Sequence, residues 1–283
     1  MKKGLILAAI LLSLCNATFA QVTDSLQATR YVTRATMLGV GFTDVYDTYL
    51  TPQAYKGVEF RCSRETMRMT NLFDGNVSLQ NFFQAHVAYT HNKADNNNSF
   101  SGLVNWNIGL HYQFKVAPGL KLLAGGLADF NGGFIYNLHN SNNPASAKAY
   151  INLDLSGMAI YHFKIKKYCM TARYQINAPF MGVMFSPNYG QSYYEIFTLG
   201  NTSNIIKFTS FHNQPALRQM LTLDFPVRYS KVRVGYIWDA QQSHVNGLKT
   251  HTYSHVFMIG FVKNLYRIRD KHGVPLPASV RAY

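Results

Sequence analysis

The feature that most constrains this chain is an apolar–polar alternation of period two that recurs along almost its whole length. Between residues 102 and 114, Val104, Trp106, Ile108, Leu110, Tyr112 and Phe114 share one parity, and Asn105, Asn107, His111 and Gln113 share the other. Successive side chains of a strand point to opposite faces, so this stretch has one apolar wall and one polar wall. Residues 149–165 repeat the pattern: Ile151, Leu153, Leu155, Ala159, Tyr161, Phe163 and Ile165 oppose Asn152, Asp154, Ser156, His162 and Lys164. Residues 168–177 and 217–229 do so again. The pattern predicts about twelve strands, at 34–46, 55–70, 76–91, 100–115, 119–137, 149–165, 168–182, 191–199, 203–213, 216–229, 231–244 and 248–264. Strands of soluble sheets average about 5–6 residues, whereas a tilted strand needs about 9–11 to cross a bilayer.

The connections alternate in length. Short turns are predicted at 71–75, 116–118, 166–167, 200–202 and 230, and longer polar loops at 47–54, 92–99, 138–148 and 183–190. Short turns at one end and long loops at the other are the habit of outer-membrane barrels. Aromatic rings cluster near both sets of connections. Tyr112, Phe114, Tyr161, Phe163, Tyr168, Phe225, Tyr229 and Phe261 flank the short turns; Tyr89, Tyr136, Tyr150, Phe180, Tyr193, Phe211 and Tyr253 lie near the long loops. A ring with a polar tip prefers the head-group level of a membrane. Lipid offers no partner to backbone N–H and C=O groups, so only helices and closed sheets can span it. Beyond residue 20 no apolar stretch reaches 18 residues, which leaves closure of the sheet. The expected fold is all-β: a closed antiparallel up-and-down transmembrane β-barrel of about twelve strands, with both termini on the periplasmic side.

The N-terminus reads as an export signal. Lys2 and Lys3 precede an apolar run from Gly4 to Leu14, and Thr18-Phe19-Ala20 places small residues before a cut near Ala20. Leu14 stands where a lipoprotein signal needs a small residue, so Cys15 is not read as a lipidation site. The predicted organisation is a signal peptide at 1–20, an N-terminal periplasmic segment at 21–33, the barrel at 34–265 and a periplasmic tail at 266–283. The tail is basic, holds Gly273, Pro275 and Pro277, and lacks alternation. It is the segment available to a periplasmic partner.

Composition removes other classes. Only 14% of residues are charged, against about 25% in a typical chain, which excludes disorder and coiled coils. The formal net charge of +14 is spread out with no run of five cations, so nucleic acid is not an expected partner. Scattered cations on a barrel line a lumen, meet anionic head groups at a rim, or sit in solvated turns. Cys62 and Cys169 lie too far apart to form a disulfide framework and make no C-x-x-C pair. His251 and His255 stand about 13 Å apart along a strand, and His86 and His91 on opposite faces, so neither a metal nor any cofactor is expected.

Two constellations bear on function. The polar wall would line a lumen through Asn107, His111, Asp154, His162, Lys164, Arg173, Gln175, Arg218, Asp224, Arg228, Arg233 and Asp239, a set in which basic groups outnumber acidic ones. An open lumen of this kind would favour anions, and a filled one would hold the same residues as paired ions. Separately, Ser210-Phe211-His212-Asn213 places a hydroxyl and an imidazole two residues apart, the beginning of a serine-hydrolase arrangement. Barrel phospholipases, however, place His before Ser, and this chain reverses the order.

Residues 185–197 (FSPNYGQSYYEIF), Ser210-Phe211-His212-Asn213 and the last strand from His255 to Val262 resemble a family of uncharacterised outer-membrane proteins of Gram-negative envelopes, a domain of unknown function. The resemblance extends over most of the chain after the signal and implies a barrel, but no activity. The expected function is that of an outer-membrane barrel, structural or a narrow pore with a mildly basic polar lumen, and not an enzyme. Its expected partners are outer-membrane lipid and the barrel-insertion machinery. The alternatives are a lipid-acting barrel enzyme using Ser210 and His212, and a secreted soluble β-protein that binds a ligand.

Overall fold

The alternating segments become long antiparallel strands. In the computed structural model, which describes residues 31–141, 143–227 and 230–266, they are β1 (Tyr31–Asp47), β2 (Ala54–Met69), β3 (Val77–Asn92), β4 (Asn98–Ala117), β5 (Leu120–Asn137), β6 (Ala145–Ile165), β7 (Tyr168–Phe185), β8 (Ile206–Ser210), β9 (Ala216–Val227), β10 (Ser230–Val245) and β11 (Leu248–Tyr266). Each pairs with its neighbour in sequence, β7 pairs with β9, and β1 with β11 from Tyr31↔Tyr266 to Asp47↔Thr250. The sheet therefore closes on itself as a ring of ten strands, with β8 beside it on β7. Closure gives every barrel strand a partner on both sides.

The burial pattern is that of a soluble protein turned inside out. The outward parity of β1 carries Leu38, Val40 and Phe42, the last 70% exposed; β11 carries Phe257, Ile259 and Phe261, all more than 60% exposed. The inward parity carries buried Arg, Asp, Glu, Asn and Gln from nearly every strand. In water such an arrangement would expose the apolar surface and desolvate the charges, both unfavourable. In a bilayer the same wall meets lipid tails. Polar groups on that wall often satisfy each other: Trp106 Nε1 donates to Asn81 (3.0 Å), Tyr174 Oη to Gln219 (2.8 Å), and Tyr236 Oη bonds His255 (2.6 Å).

The connections between β2 and β3, β4 and β5, β6 and β7, and β9 and β10, the last three of two residues each, lie at one end with both ends of the ring's seam; this is the short-turn end. The remaining connections, among them the long excursion between β7 and β9, gather at the other, the loop end. The tight turn between β10 and β11 also lies there, where Asn246 (φ 54°) and Gly247 (φ 76°) supply the two positive φ values that a two-residue hairpin needs.

Two predicted strands change form. Residues 191–199 hold a short helix, α1 (Tyr193–Phe197), started by a capping box: Ser192 Oγ accepts from the Glu195 N–H, and the Glu195 carboxylate from the Ser192 N–H. The S-x-x-E spacing dictates that start, and Ile196 turns inward as the buried anchor. The predicted turn at 200–202 belongs to the same loop-end excursion. Residues 203–213 shrink to β8. Asn177 pairs with Arg218 in β9 and Met181 with Ser210 in β8, so eight steps of chain stand opposite four. β8 and β9 are thus one strand line broken by a looped-out turn, and ten strands close the ring instead of about twelve. An even number survives, so both ends of the barrel stay on one side. The predicted signal peptide, the tail and Tyr229 lie outside the described residues.

If the wall faces lipid, a charge at mid-strand must be costly. Leu153→Arg on β6 is expected to lower the unfolding free energy in vesicles by about 2–4 kcal/mol, read by denaturant titration. A change within about 0.5 kcal/mol, usual for a solvated surface, would contradict the inside-out reading.

Candidate functional site

The interior is built in layers, and the inward parity of each strand shows their order. On β3 the inward residues run Gln80, Phe82, Gln84; on β9 they run Arg218, Met220, Thr222, Asp224; on β10 they run Arg233, Gly235, Ile237, Asp239. A polar tier, an apolar layer and a second polar tier therefore follow one another along the barrel axis.

The tier nearer the loop end centres on Arg61 and Arg218. Arg61 donates to Glu59 (2.6 Å), Asp239 (3.1 Å) and Gln84 (3.1 Å), and Arg218 donates to Asp239 (3.0 Å) and Asn105 (2.9 Å). Ser254 closes the far side of Glu59 at 2.6 Å. Asp129 accepts from Asn105, from Asn107 (2.8 Å) and from Asn131 (2.7 Å). The tier nearer the short turns centres on Glu65, which accepts from Arg173 (2.8 Å), Arg233 (2.7 Å) and Gln80 (2.6 Å). Arg233 also holds Asp224 with two parallel bonds of 2.6 and 2.8 Å, the fork geometry that suits guanidinium to carboxylate. His111 joins through Ser156 (2.8 Å) and Asn177.

Between the tiers lie Met37, Phe82, Met220, Ile237, Val256 and Met258, all buried. Glycines make room for them. Gly39 faces Met258, where a Cβ would stand 2.6 Å from the Met258 Cγ, and Gly260 faces Met37. A second apolar group, Met67, Leu123, Met158 and Ile160, fills the lumen closer to the short turns.

Most of the expected lumen residues converge here: Asn107, His111, Asp154, Arg173, Gln175, Arg218, Asp224, Arg233 and Asp239 are all buried inside. His162 is half-buried with its Nδ1 on Thr171 (3.0 Å), and Lys164 is exposed at the short-turn rim instead of lining the interior, because the strand has already left the barrel there. Arg228 lies outside the described residues. The expected excess of basic groups is not found among the described residues. Glu59, Glu65 and Asp129 join Asp154, Asp224 and Asp239, so six buried carboxylates face Arg61, Arg173, Arg218 and Arg233. The β2 members were missed because outward Arg64 and Arg68 interrupt the apolar parity of that strand. Cys62 faces the wall and Cys169 is exposed at the short-turn end; neither is bonded to the other.

Above the first tier the barrel opens into a cup at the loop end, floored by Arg61, Gln84, Asn105 and Asp239 and walled by His86, Tyr150 and Gln214. Tyr150 thus turns inward, away from the predicted aromatic girdle. Among the residues lining the cup, the Arg61 Nη2, both ring nitrogens of His86 and the Gln214 Oε1 are buried without a hydrogen-bond partner. At the rim Lys148 pairs with Asp47 (2.6 Å). Tyr49 packs edge-on against Tyr193, and burial, helped by Tyr193 and Asp47, pushes its phenol up to about 12.

Ser210 and His212 do meet, Oγ to Nδ1, in the looped-out turn after β8. Both face solvent. Asn213 does not orient the imidazole, since its Oδ1 accepts from the Ser210 N–H (2.8 Å) and its Nδ2 donates to the Phe208 carbonyl (3.0 Å). Among the described residues no group of three His, Cys, Asp or Glu is placed to hold a metal ion.

A closed sheet with an apolar outer wall and an ion-paired interior defines a β-barrel membrane protein. Residues 5–272 match the family described as protein of unknown function (DUF3316), and the chain belongs to it. Comparison with curated proteins gives no match. Among solved structures it is similar to the transport unit of the autotransporter AIDA-I from Escherichia coli (9% identity, 90% of this chain and 97% of that one, TM-score 0.42). It is also similar to the outer membrane protease OmpT from Escherichia coli (8%, 88% and 99%, TM-score 0.44). A third is the COG4313 outer membrane channel from Pseudomonas putida F1 (8%, 87% and 100%, TM-score 0.35).

Removing one partner of a buried ion pair leaves the other uncompensated, at a cost of about 3–5 kcal/mol. Glu65→Gln removes the carboxylate that Arg173 and Arg233 share, leaves Arg233 its fork with Asp224, and is expected to fall in that range or to block refolding, whereas Lys56→Gln, whose pair with Asp44 is exposed, should cost under about 1 kcal/mol. Heat-modifiable gel migration reads both.

Proposed function

We propose that this protein is an outer-membrane barrel whose lumen is a packed plug, with no conducting path, and whose working surface is the polar cup at its loop end. The observation that carries this reading is the stack of ion tier, apolar layer and ion tier across the full interior. An ion crossing it would have to shed water against Phe82 and Met258 and then displace paired charges, and hydrophobic constrictions of this kind stay dry. A mildly basic anion pore fits less well, because the buried carboxylates outnumber the guanidiniums, six to four.

The export signal at 1–20, cleaved near Ala20, is part of the same reading, as are contact with outer-membrane lipid, passage through the barrel-insertion machinery and a periplasmic tail. With the short turns and both ends of the barrel in the periplasm, the cup opens to the cell exterior. Catalysis at Ser210 and His212 lacks a third group to fix the imidazole tautomer, which the chemistry needs. A soluble ligand-binding protein would have to carry the apolar wall in water.

Planar-bilayer recordings test the plug. The wild-type barrel is expected to insert without steady conductance. The triple variant Met37→Ala, Phe82→Ala, Met258→Ala should admit measurable transient current by thinning the dry layer while leaving both ion tiers in place. Steady wild-type current with a preference for anions would overturn the closed reading in favour of a pore.

A further inference from the structure

The outward wall has one region that does not belong in hydrocarbon. On β2 the outward parity begins with Val58 and Phe60 and then continues Cys62, Arg64, Thr66, Arg68. On β1, Arg34 pairs with Thr66, so it sits between the two β2 arginines, each a diagonal neighbour about 7–8 Å away. On the other side Arg34 pairs directly with Lys263 of β11. Directly opposed side chains have Cβ atoms about 4.5–5.5 Å apart, and like charges at that spacing repel. Four cations thus occupy one patch on three adjacent strands.

Among the described residues no carboxylate pairs with them. On the outward faces of β1, β2, β3, β10 and β11, the carboxylate present is Asp44, at the opposite end of β1, where it pairs with Lys56 (3.3 Å). Arg64, Arg68 and Lys263 are exposed, and the Nε of Arg34 is shut from solvent without a hydrogen-bond acceptor. The contrast with the rest of the wall is sharp, since Trp106, Tyr174 and Tyr236 each find a polar neighbour there. Around the ring the corresponding short-turn region is apolar, with Phe114, Tyr161 and Tyr168 exposed on β4, β6 and β7.

From this we infer that Arg34, Arg64, Arg68 and Lys263 form a binding site for the phosphate group of an anionic lipid in the leaflet at the short-turn end. Guanidinium offers phosphate paired donors in a planar fork. The patch is bounded above by Leu38, Phe60 and Phe261, all exposed, which would lie along the acyl chains of that lipid. A soluble polyanion has no access to a surface flanked in this way, whereas a lipid is already there. The site rests on the barrel spanning a bilayer but not on its lumen being closed, so the two readings can fail separately.

The test compares unfolding of the refolded full chain in phosphatidylcholine vesicles with and without phosphatidylglycerol. Wild type is expected to gain at least tenfold in its folding equilibrium constant from the anionic lipid, and inorganic phosphate added to neutral vesicles should not reproduce the gain. The variant R34Q/R64Q/R68Q should lose the gain while folding at least as well as wild type in neutral vesicles, because repulsion is relieved. Arg64→Gln alone should lose part of it, and the turn variant K166Q/K167Q should keep it. Equal dependence on the anionic lipid in wild type and the triple variant, or none in wild type, overturns the site. So would a triple variant weakened equally in both vesicle types, which would mark a structural role.

Discussion

Everything in this molecule follows from the need to pair backbone amides where water is absent. A sheet in lipid must close, and closing it creates an interior that no longer faces bulk water. Ten strands enclose a space that side chains can nearly fill. The inward parity therefore has to be both polar enough to fold next to water and self-sufficient once closed. The two ion tiers answer that requirement: the Glu65 carboxylate has two guanidiniums and an amide, and Asp239 has two guanidiniums and Gln241 (2.6 Å). Charges that cannot be solvated are tolerated only when paired and hydrogen-bonded at every turn.

The apolar layer is the less expected half of this solution. Continuous polar packing would require every donor to find an acceptor across the whole lumen. Instead Met37, Met220 and Met258, with flexible unbranched chains, fill the irregular space between tiers. The glycines opposite them, Gly39 and Gly260, remove volume where a side chain would collide. The tiers are thereby kept apart, so that Asp239 and Glu65 each hold a separate pair of guanidiniums.

The sequence made the fold legible because alternation is a one-dimensional trace of a two-faced wall. Residues 100–115, 119–137 and 149–165 fall almost wholly inside β4, β5 and β6. It misled where two codes overlapped. The segment Ser192-Tyr193-Tyr194-Glu195 is rich in aromatics, as a strand end would be, yet its S-x-x-E spacing specifies a helix start and that local bonding prevails. Lumen residues on β6, β7, β9 and β10 were readable from parity. Glu59, Arg61 and Glu65 were not, because Arg64 and Arg68 place charge on both faces of β2 and erase the contrast on which parity depends. Which carboxylate meets which guanidinium was beyond reach, since Glu65 to Arg233 is a contact across the barrel set by the register of every intervening strand.

The broken strand line is where the structure is least tied down. Over most of its length β7 has a full partner on each side, but at the loop end its second partner is only the five-residue β8, followed by a turn instead of continued pairing. The Thr209 hydroxyl and the Gln214 carbonyl are buried there without hydrogen bonds. Local opening draws on regions with short pairing and unsatisfied groups, and this seam adjoins the cup through Gln214. The ion tiers lie deeper, on strands paired along both edges. The geometry therefore separates the ion-paired tiers from a loosely paired rim, and local opening of that rim leaves the charges beneath it undisturbed.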